Sequence, residues 1–340
     1  MNRPSTVIGA AAGPDVQARR PRTEVSLTRV GVVGVEKVIR INPRAGRDGD
    51  SGQLFFAEFE CFVDLNPKQA GAHMSRFEEV VNEAIDEAVL AESLKAEHLA
   101  ARIAERVRDR QGGLRAEVSL AARYPETVPA PQSGKPTQEI YTLFGTAVAS
   151  TAGTRTLTGV QAQGMTACPC AQEMIASGAR ERLAASGYDE DQVDEILDLV
   201  PVATHNQRGI GTLYLGRSED CETEIDAREL LAIVESSMSS EIYELMKRED
   251  ARSVVEKAHA NPRFVEDCVR EMVRRLASAY PDLHGRNFVL ARQENLETIH
   301  RHNVIAERSG ELSEVLAELE AGEHSTRHDD AGVARRPRPA

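Results

Sequence analysis

Cys168-Pro169-Cys170 sets two thiols one residue apart, at the end of a stretch that reads as a strand (about Arg155 to Met165) and directly before a helical stretch. A helix N-terminus favours the thiolate, and a thiolate is a soft ligand for Zn²⁺ or Fe²⁺. Two buried thiols at a strand end would give the same sequence, because free cysteine is among the most buried residue types. His205-Asn206-Gln207-Arg208 is a dense polar run just ahead of another strand-like stretch, Gly209 to Leu215. It reads either as a solvated loop or as a set of functional side chains. Its distance from Cys168 along the chain is no obstacle to a shared site, but it carries no zinc-finger spacing.

In Glu297-Thr298-Ile299-His300-Arg301-His302, the two histidines fall on one face if the segment is extended. Two imidazoles on one face bind a metal or relay protons near neutral pH, and they are equally compatible with an ordinary surface strand. The stretch from Ser253 to Asp267 links two helical segments. Pro262 suits the first turn of a helix, and Glu266 and Asp267 complement its N-terminal dipole, so capping explains much of the pattern. The functional reading is a carboxylate pair, one for a metal and one accepting two N–H bonds from a ligand's edge.

These segments must be positioned by a fold, and the hydrophobic periodicity indicates one. Val25 to Ile41 and Gln53 to Leu65 read as strands joined by the turn RAGRDGDSG. Phe77, Val80, Val81, Ala84, Ile85 and Val89 recur at helical spacing, and a second helix is expected from about Ala96 to Arg110. Leu114 to Ala122 and Glu139 to Ser150 follow as strands, separated by the Pro-rich loop PETVPAPQSGKP. The order ββααββ then recurs after Gly153. Its strands are about Arg155 to Met165, Gly209 to Leu215, Asn287 to Ala291 and Ile299 to Ala306, and its helices about Arg228 to Lys247 and Pro262 to Ala279. An insertion at about 171–201 reads as one or two helices.

The expected fold class is therefore α+β, with antiparallel sheets carrying helix pairs on one face and two ββααββ modules at 23–152 and 153–310. Tails at 1–22 and 320–340 lack an apolar face and are expected to be disordered. A parallel α/β sheet is disfavoured, because no GxGxxG or GxxxxGK[ST] follows a strand.

Composition excludes several function classes. A net charge of −13 argues against binding a nucleic-acid polymer, and aromatic residues at 4% leave few stacking platforms for single strands. One nucleotide needs only a local cluster of donors, so a nucleotide substrate stays open. No apolar run is long enough to cross a membrane, and the N-terminus has no secretory pattern, so a cytoplasmic protein is expected. The five cysteines suggest reduced thiols and a metal more than a disulfide framework.

Together the four polar segments are more specific than any one of them. From about Asp15 to Ala306 the chain resembles the prokaryotic GTP cyclohydrolases of type IB and their archaeal MptA relatives. The resemblance is carried by DVQ, VSLTRVGVVGVEKVI, MTACPCAQEM, ATHNQRG, LMKRED, EKAHANPRFVEDCVREM and ENLETIHRHN. It implies a tunnelling fold of two modules, assembled as a homotetramer with active sites at subunit boundaries. The long span from Ala171 to Thr204 looks more like the archaeal form.

The resemblance also implies roles. Cys168 and His205 would be metal ligands with Glu256 as the third, Glu235 being the other choice. Glu266 would anchor the guanine edge, with Glu271 as the competing position, and Gln207 and Arg208 would bind substrate. Cys170, Glu297, His300 and His302 would serve catalysis. The implied cofactor is a divalent metal, Fe²⁺ or else Mn²⁺ or Zn²⁺. The implied reaction opens the imidazole ring of GTP, releases formate and yields 7,8-dihydroneopterin triphosphate for pterin and folate synthesis. An MptA-type reaction giving the 2′,3′-cyclic phosphate, and a non-catalytic metal-binding oligomer, are the alternatives.

Overall fold

A computed structural model describes residues 15–41, 53–90, 95–218, 221, 223–281, 283 and 287–322. The chain runs β1 (Leu27–Ile41), β2 (Gln53–Leu65), α1 (Met74–Leu90), α2 (Ala96–Gln111), β3 (Arg115–Pro129), β4 (Pro136–Ser150) and β5 (Gly153–Ala167). It continues through α3 (Pro169–Ala185), α4 (Glu190–Leu199), β6 (Asn206–Arg217), α5 (Ala227–Ser236), β7 (Ser240–Glu241) and α6 (Arg248–Ala260). The last elements are α7 (Val265–Ala279), β8 (Phe288–Leu296), β9 (Val304–Glu311) and α8 (Leu312–Ala321).

The strands form one antiparallel sheet in the order β1-β2-β3-β4-β5-β6-β8-β9, with β7 paired to β5. It is continuous through its middle, where Thr142–Ser150 of β4 face Gly153–Gln161 of β5. Alternation in the strands buries one face. Phe59, Leu120, Thr158, Leu215 and Val289 lie in line across that face, and α1, α2, α5 and α7 pack over it. Gly145 belongs to the same line because a Cβ there would lie 2.4 Å from the Ala96 backbone, so the first turn of α2 rests directly on β4.

Several elements depart from the sequence reading. Pro125–Pro129 is strand, not loop, and pairs with Pro136–Ile140. Prolines are tolerated there because β3 loses its β2 neighbour beyond Arg123, so no partner waits for the missing N–H groups. The helix expected from Arg228 to Lys247 stops at Ser236. The Ser236 and Ser237 hydroxyls donate back to the Ala232 and Ile233 carbonyls at 2.7 and 2.6 Å. Ser240–Glu241 then leaves as a short strand against Met165 and Gly164. Met238 is buried, but Leu245, beyond the helix end, is exposed.

Residues 253–260, read as a linker, form most of α6. Pro262 precedes α7 instead of starting it, and Asp267 instead caps that helix by accepting from the Phe264 N–H at 3.1 Å. The segment 297–303 is a turn, with β9 starting only at Val304. Glu320, placed in a tail, lies in α8. Asp15–Arg20, also placed in a tail, borders the 66–71 loop, where Ala70 N–H donates to the Gln17 and Arg19 carbonyls at 3.0 and 2.8 Å. The turn RAGRDGDSG, residues 1–14 and residues 323–340 lie outside the described residues.

The insertion is a helical hairpin. Asp189 caps α4 by accepting from Gln192 N–H at 2.9 Å, and an apolar cleft lined by Ile175, Leu183, Ile196 and Val200 separates α3 from α4. None of the described helices is long and apolar enough to cross a membrane.

Candidate functional site

The end of the sheet formed by the close of β5, the start of β6 and the close of β8 gathers most of the polar segments. β5 and β6 pair to their limit, Thr166 with Gln207 and Ala167 with Asn206. One step further the Cys168 N–H donates to the His205 carbonyl at 3.1 Å, and the Thr204 hydroxyl donates to the Cys168 carbonyl at 2.8 Å. Cys168 therefore caps α3 with Pro169 at its first position, directly beside His205. Strand pairing brings the CPC and HNQR segments together.

Gln172, one turn into α3, donates to the Val202 and His259 carbonyls at 2.9 and 2.7 Å and clamps the helix start onto the 202–205 segment. The His259 ring approaches the Thr204 carbonyl at 3.4 Å. Arg263 N–H donates to Ala167 C=O at 2.9 Å, and its guanidinium donates to Ser236 C=O at 3.2 Å. Sequence reasoning assigned no role to His259, Gln172 or Arg263. The HANPR stretch was visible, but nothing in its spacing pointed to Thr204.

The His205 side chain is 15% exposed, and its Nδ1 faces inward, 3.0 Å from the Gln207 Oε1 and 4.0 Å from the Glu297 Oε2. Gln207 is buried, and the Glu297 side chain is only 6% exposed. Both belong to one row across the helix-covered face, since Arg208 pairs with Leu296 and the next residues outward are Gln207 and Glu297. Thr166 completes the row. The Thr166 hydroxyl and the Glu297 Oε2 are buried without a hydrogen-bond partner among the described residues. Thr298 donates to the Asn206 carbonyl at 3.2 Å and fixes the turn after β8 against β6. Arg208 is exposed, and alternation puts it on the opposite face from Gln207.

Within that turn the His300 and His302 rings stack with centroids 5.2 Å apart and planes 14° from parallel, both exposed. They share a side despite the lack of a strand. Cys170 is exposed on the first turn of α3, and Glu266 is exposed on the first turn of α7. Glu271 is occupied, because Arg274 donates to it twice at 2.7 and 2.8 Å and Arg275 lies 2.7 Å away. The Arg274 hydrogen bonds, aided by the charges of both arginines, hold its carboxyl down at about 2 against the cost of burial.

Neither candidate for a third metal ligand joins Cys168 and His205. Glu256 is exposed on α6 and bonded to Arg252 at 2.8 Å, the pairing expected of residues four apart on a helix. Glu235 is largely buried at the end of α5 and accepts from the Tyr141 hydroxyl at 2.8 Å. Burial lifts its carboxyl to about 7; the Tyr141 bond opposes the rise, while the nearby Glu241, Glu126 and Glu139 charges add to it. Among the described residues no three His, Cys, Asp or Glu side chains converge as a metal site. A thiolate beside an imidazole whose inner nitrogen is engaged does suit a borderline-soft divalent ion, so the donor pair fits the implied metal.

Residues 14–306 match the model of the family described as type I GTP cyclohydrolase folE2. The chain belongs to that family. It is 40% identical over 311 residues to GTP cyclohydrolase MptA of Methanococcus aeolicus, covering 90% of this chain and 99% of the relative. It is 39% identical over 318 residues to GTP cyclohydrolase MptA of Methanothermobacter thermautotrophicus, covering 92% of this chain and 98% of the relative. Among solved structures, uricase from Arthrobacter globiformis superposes with a TM-score of 0.51 at 8% identity, covering 92% of this chain and all of that one. That likeness concerns the fold alone. It places the family member in the α+β, antiparallel architecture that uricase shares.

Proposed function

We propose that this family member hydrolyses the guanine imidazole ring of GTP, releasing C8 as formate, and that the product is 7,8-dihydroneopterin triphosphate. The observation that carries this reading is the juxtaposition of Cys168 and His205 at one end of the sheet, within a chain that matches the folE2 family from residue 14 to 306. In this reading Cys168 and His205 hold a divalent metal, Fe²⁺, Mn²⁺ or Zn²⁺. Such an ion supplies ionised water near neutral pH by lowering the pKa of a water molecule.

The remaining steps fall to side chains. Glu266, unpaired among the described residues and exposed at a helix start, accepts the N–H groups of the guanine edge and orients the ring. His300 and His302 carry protons to N9 as the C8–N9 bond opens and to N7 as a second water adds to the formyl carbon and formate leaves, with Cys170 as a further proton carrier. Arg208 binds the polar remainder of the nucleotide. The ββααββ order of each half supports reading the chain as two modules of a tunnelling fold. The exposure of Cys170, Glu266, His300 and His302 on a single chain supports a homotetramer whose active sites close at subunit boundaries.

A second reading, the 2′,3′-cyclic phosphate product, is compatible with the 40% identity to a relative named MptA. One experiment addresses both. Metal-reconstituted protein incubated with GTP should release formate, and the product mass tells a triphosphate from a cyclic phosphate. Metal retention without formate would leave only a binding protein.

A further inference from the structure

We infer that Gln207 and Glu297 are positioning residues that act through His205, holding it with the proton on Nδ1 so that Nε2 is the nitrogen presented outward. The inference deepens the reading of His205 as a metal ligand and reassigns two side chains from substrate contact and proton transfer. It starts from burial. Gln207 is 5% exposed and the Glu297 side chain 6%, and both lie on the face of the sheet covered by helices. A side chain so enclosed has little surface to offer a nucleotide arriving from solvent, whereas His205 borders both of them.

The geometry then selects the tautomer. His205 Nδ1 faces two oxygens, the Gln207 amide oxygen at 3.0 Å and the Glu297 carboxylate oxygen at 4.0 Å. An amide oxygen only accepts, so a bare lone pair on Nδ1 would face an acceptor at 3.0 Å and lose a hydrogen bond in a low-dielectric setting. A proton on Nδ1 removes the conflict. Neutral imidazole then carries its lone pair on Nε2, on the far side of the ring, the arrangement in which an inner partner orients a ligating histidine.

The backbone explains why the arrangement is stable. Thr166 pairs with Gln207, and Arg208 pairs with Leu296, so the positions of Gln207 and Glu297 relative to His205 are set by strand register and not by loop conformation. Thr298 adds a hydrogen bond to the Asn206 carbonyl at 3.2 Å, just past Glu297. The Glu297 Oε2 has no other partner among the described residues, which leaves the imidazole edge as the group it serves.

The test has two readouts, one independent of any metal. In metal-free protein labelled with ¹⁵N-histidine, long-range ¹H–¹⁵N correlations should show His205 as the Nδ1–H tautomer, the resonance being assigned by its loss in His205→Ala. Gln207→Leu and Glu297→Leu should shift it toward Nε2–H. In competition with a chromophoric chelator both should bind Zn²⁺ ten- to a hundredfold more weakly, the range typical of lost outer partners. Gln207→Glu keeps an acceptor at that position and should retain the wild-type tautomer and most of the affinity. An Nε2–H tautomer in the wild-type protein would overturn the inference without any variant having to fold. So would folded leucine variants with wild-type tautomer and affinity. Unchanged Zn²⁺ binding by His205→Ala would instead refute the ligand reading while the tautomer result stood.

Discussion

The Cys168 N–H donates to the His205 carbonyl at 3.1 Å, just past the last paired residues of β5 and β6. This bond makes a thiol and an imidazole neighbours although they are far apart in sequence. It also separates Cys168, at the helix cap, from Cys170, exposed on the first turn. Cys168→Ser should therefore lose bound metal and formate release together, and Cys170→Ser should keep metal and lose rate. Metal content per chain decides the matter, and equal losses in both variants would refute the division of roles.

Glu266 and Glu271 competed in the sequence as the guanine anchor, and the structure separates them. Glu271 is held by Arg274 and Arg275, while Glu266 stands exposed at the start of α7. Glu266→Gln should weaken GTP binding about tenfold or more, as expected when a site built to accept hydrogen bonds presents a donor instead, with metal content unchanged. Glu271→Gln should bind GTP nearly normally. Calorimetric titration of the two variants with a non-hydrolysed GTP analogue makes the comparison.

Much of this was legible because periodicity and pairing agree. Phe55, Ala57, Phe59, Cys61 and Val63 alternate in sequence, and all five are buried on the helix side of β2. The CPC and HNQR segments each sat beside a predicted strand, so antiparallel pairing of those strands suffices to join them. What could not be read is the connection from Ser236 to Ala260. Its apolar spacing continues past Met238, yet serine back-bonding and the pull of an unpaired β5 edge end the helix, a contest between local and tertiary interactions that spacing does not register. Glu256 sits in a helix where a linker was expected, and that helix turns it outward to Arg252.

Asp250 shows the opposite case, a residue absorbed in the KRED motif whose work is structural. It is fully buried at the start of α6 and accepts from Gln132 N–H, Ser133 N–H and Lys247 N–H, each at 2.8 Å, and from the Ser133 hydroxyl at 2.7 Å. Burial alone would raise its carboxyl, but the bonds from Ser133, Lys247 and Gln132 outweigh burial and hold it well below the usual 3.8. With the folded value depressed, its stabilisation is present above the unfolded value and lost as pH falls through the folded one. Asp250→Asn should lower the urea midpoint at pH 7 and flatten the acid limb of the stability profile below about pH 4. An unchanged acid limb would show that Asp250 does not anchor the 130–135 turn.

Glu235 should do the reverse. Its folded value of about 7 lies above the ordinary 4.5, mainly through burial. Between those values the folded chain holds a proton that the unfolded chain has released, so stability falls as pH rises through that window and then levels off. The total loss across the window amounts to about 1.4 kcal/mol per pKa unit separating the two states. Glu235→Gln keeps an acceptor for the Tyr141 hydroxyl and should abolish the slope while raising the urea midpoint at pH 8. A wild-type slope in the variant would assign the proton elsewhere.

The stacked pair His300 and His302 gives the sharpest test of the chemistry. Their rings lie 5.2 Å apart in an exposed turn that Thr298 ties to the start of β6, so they reach solvent from the same end of the sheet as Cys168 and His205. If they move protons after water has added to C8, replacing either with Asn keeps a polar side chain but removes an imidazole that can take up and give back a proton. With Cys170 still able to pass a proton to N9, ring opening would then outrun formate release, and a formamidopyrimidine nucleotide should accumulate, with turnover reduced roughly a hundredfold or more, the usual contribution of a positioned acid or base. Metal content should not change. Loss of metal in both variants would make the histidines ligands, and wild-type turnover in the double variant would reduce the stack to an ordinary turn. Product mass and metal analysis on one preparation separate the three outcomes.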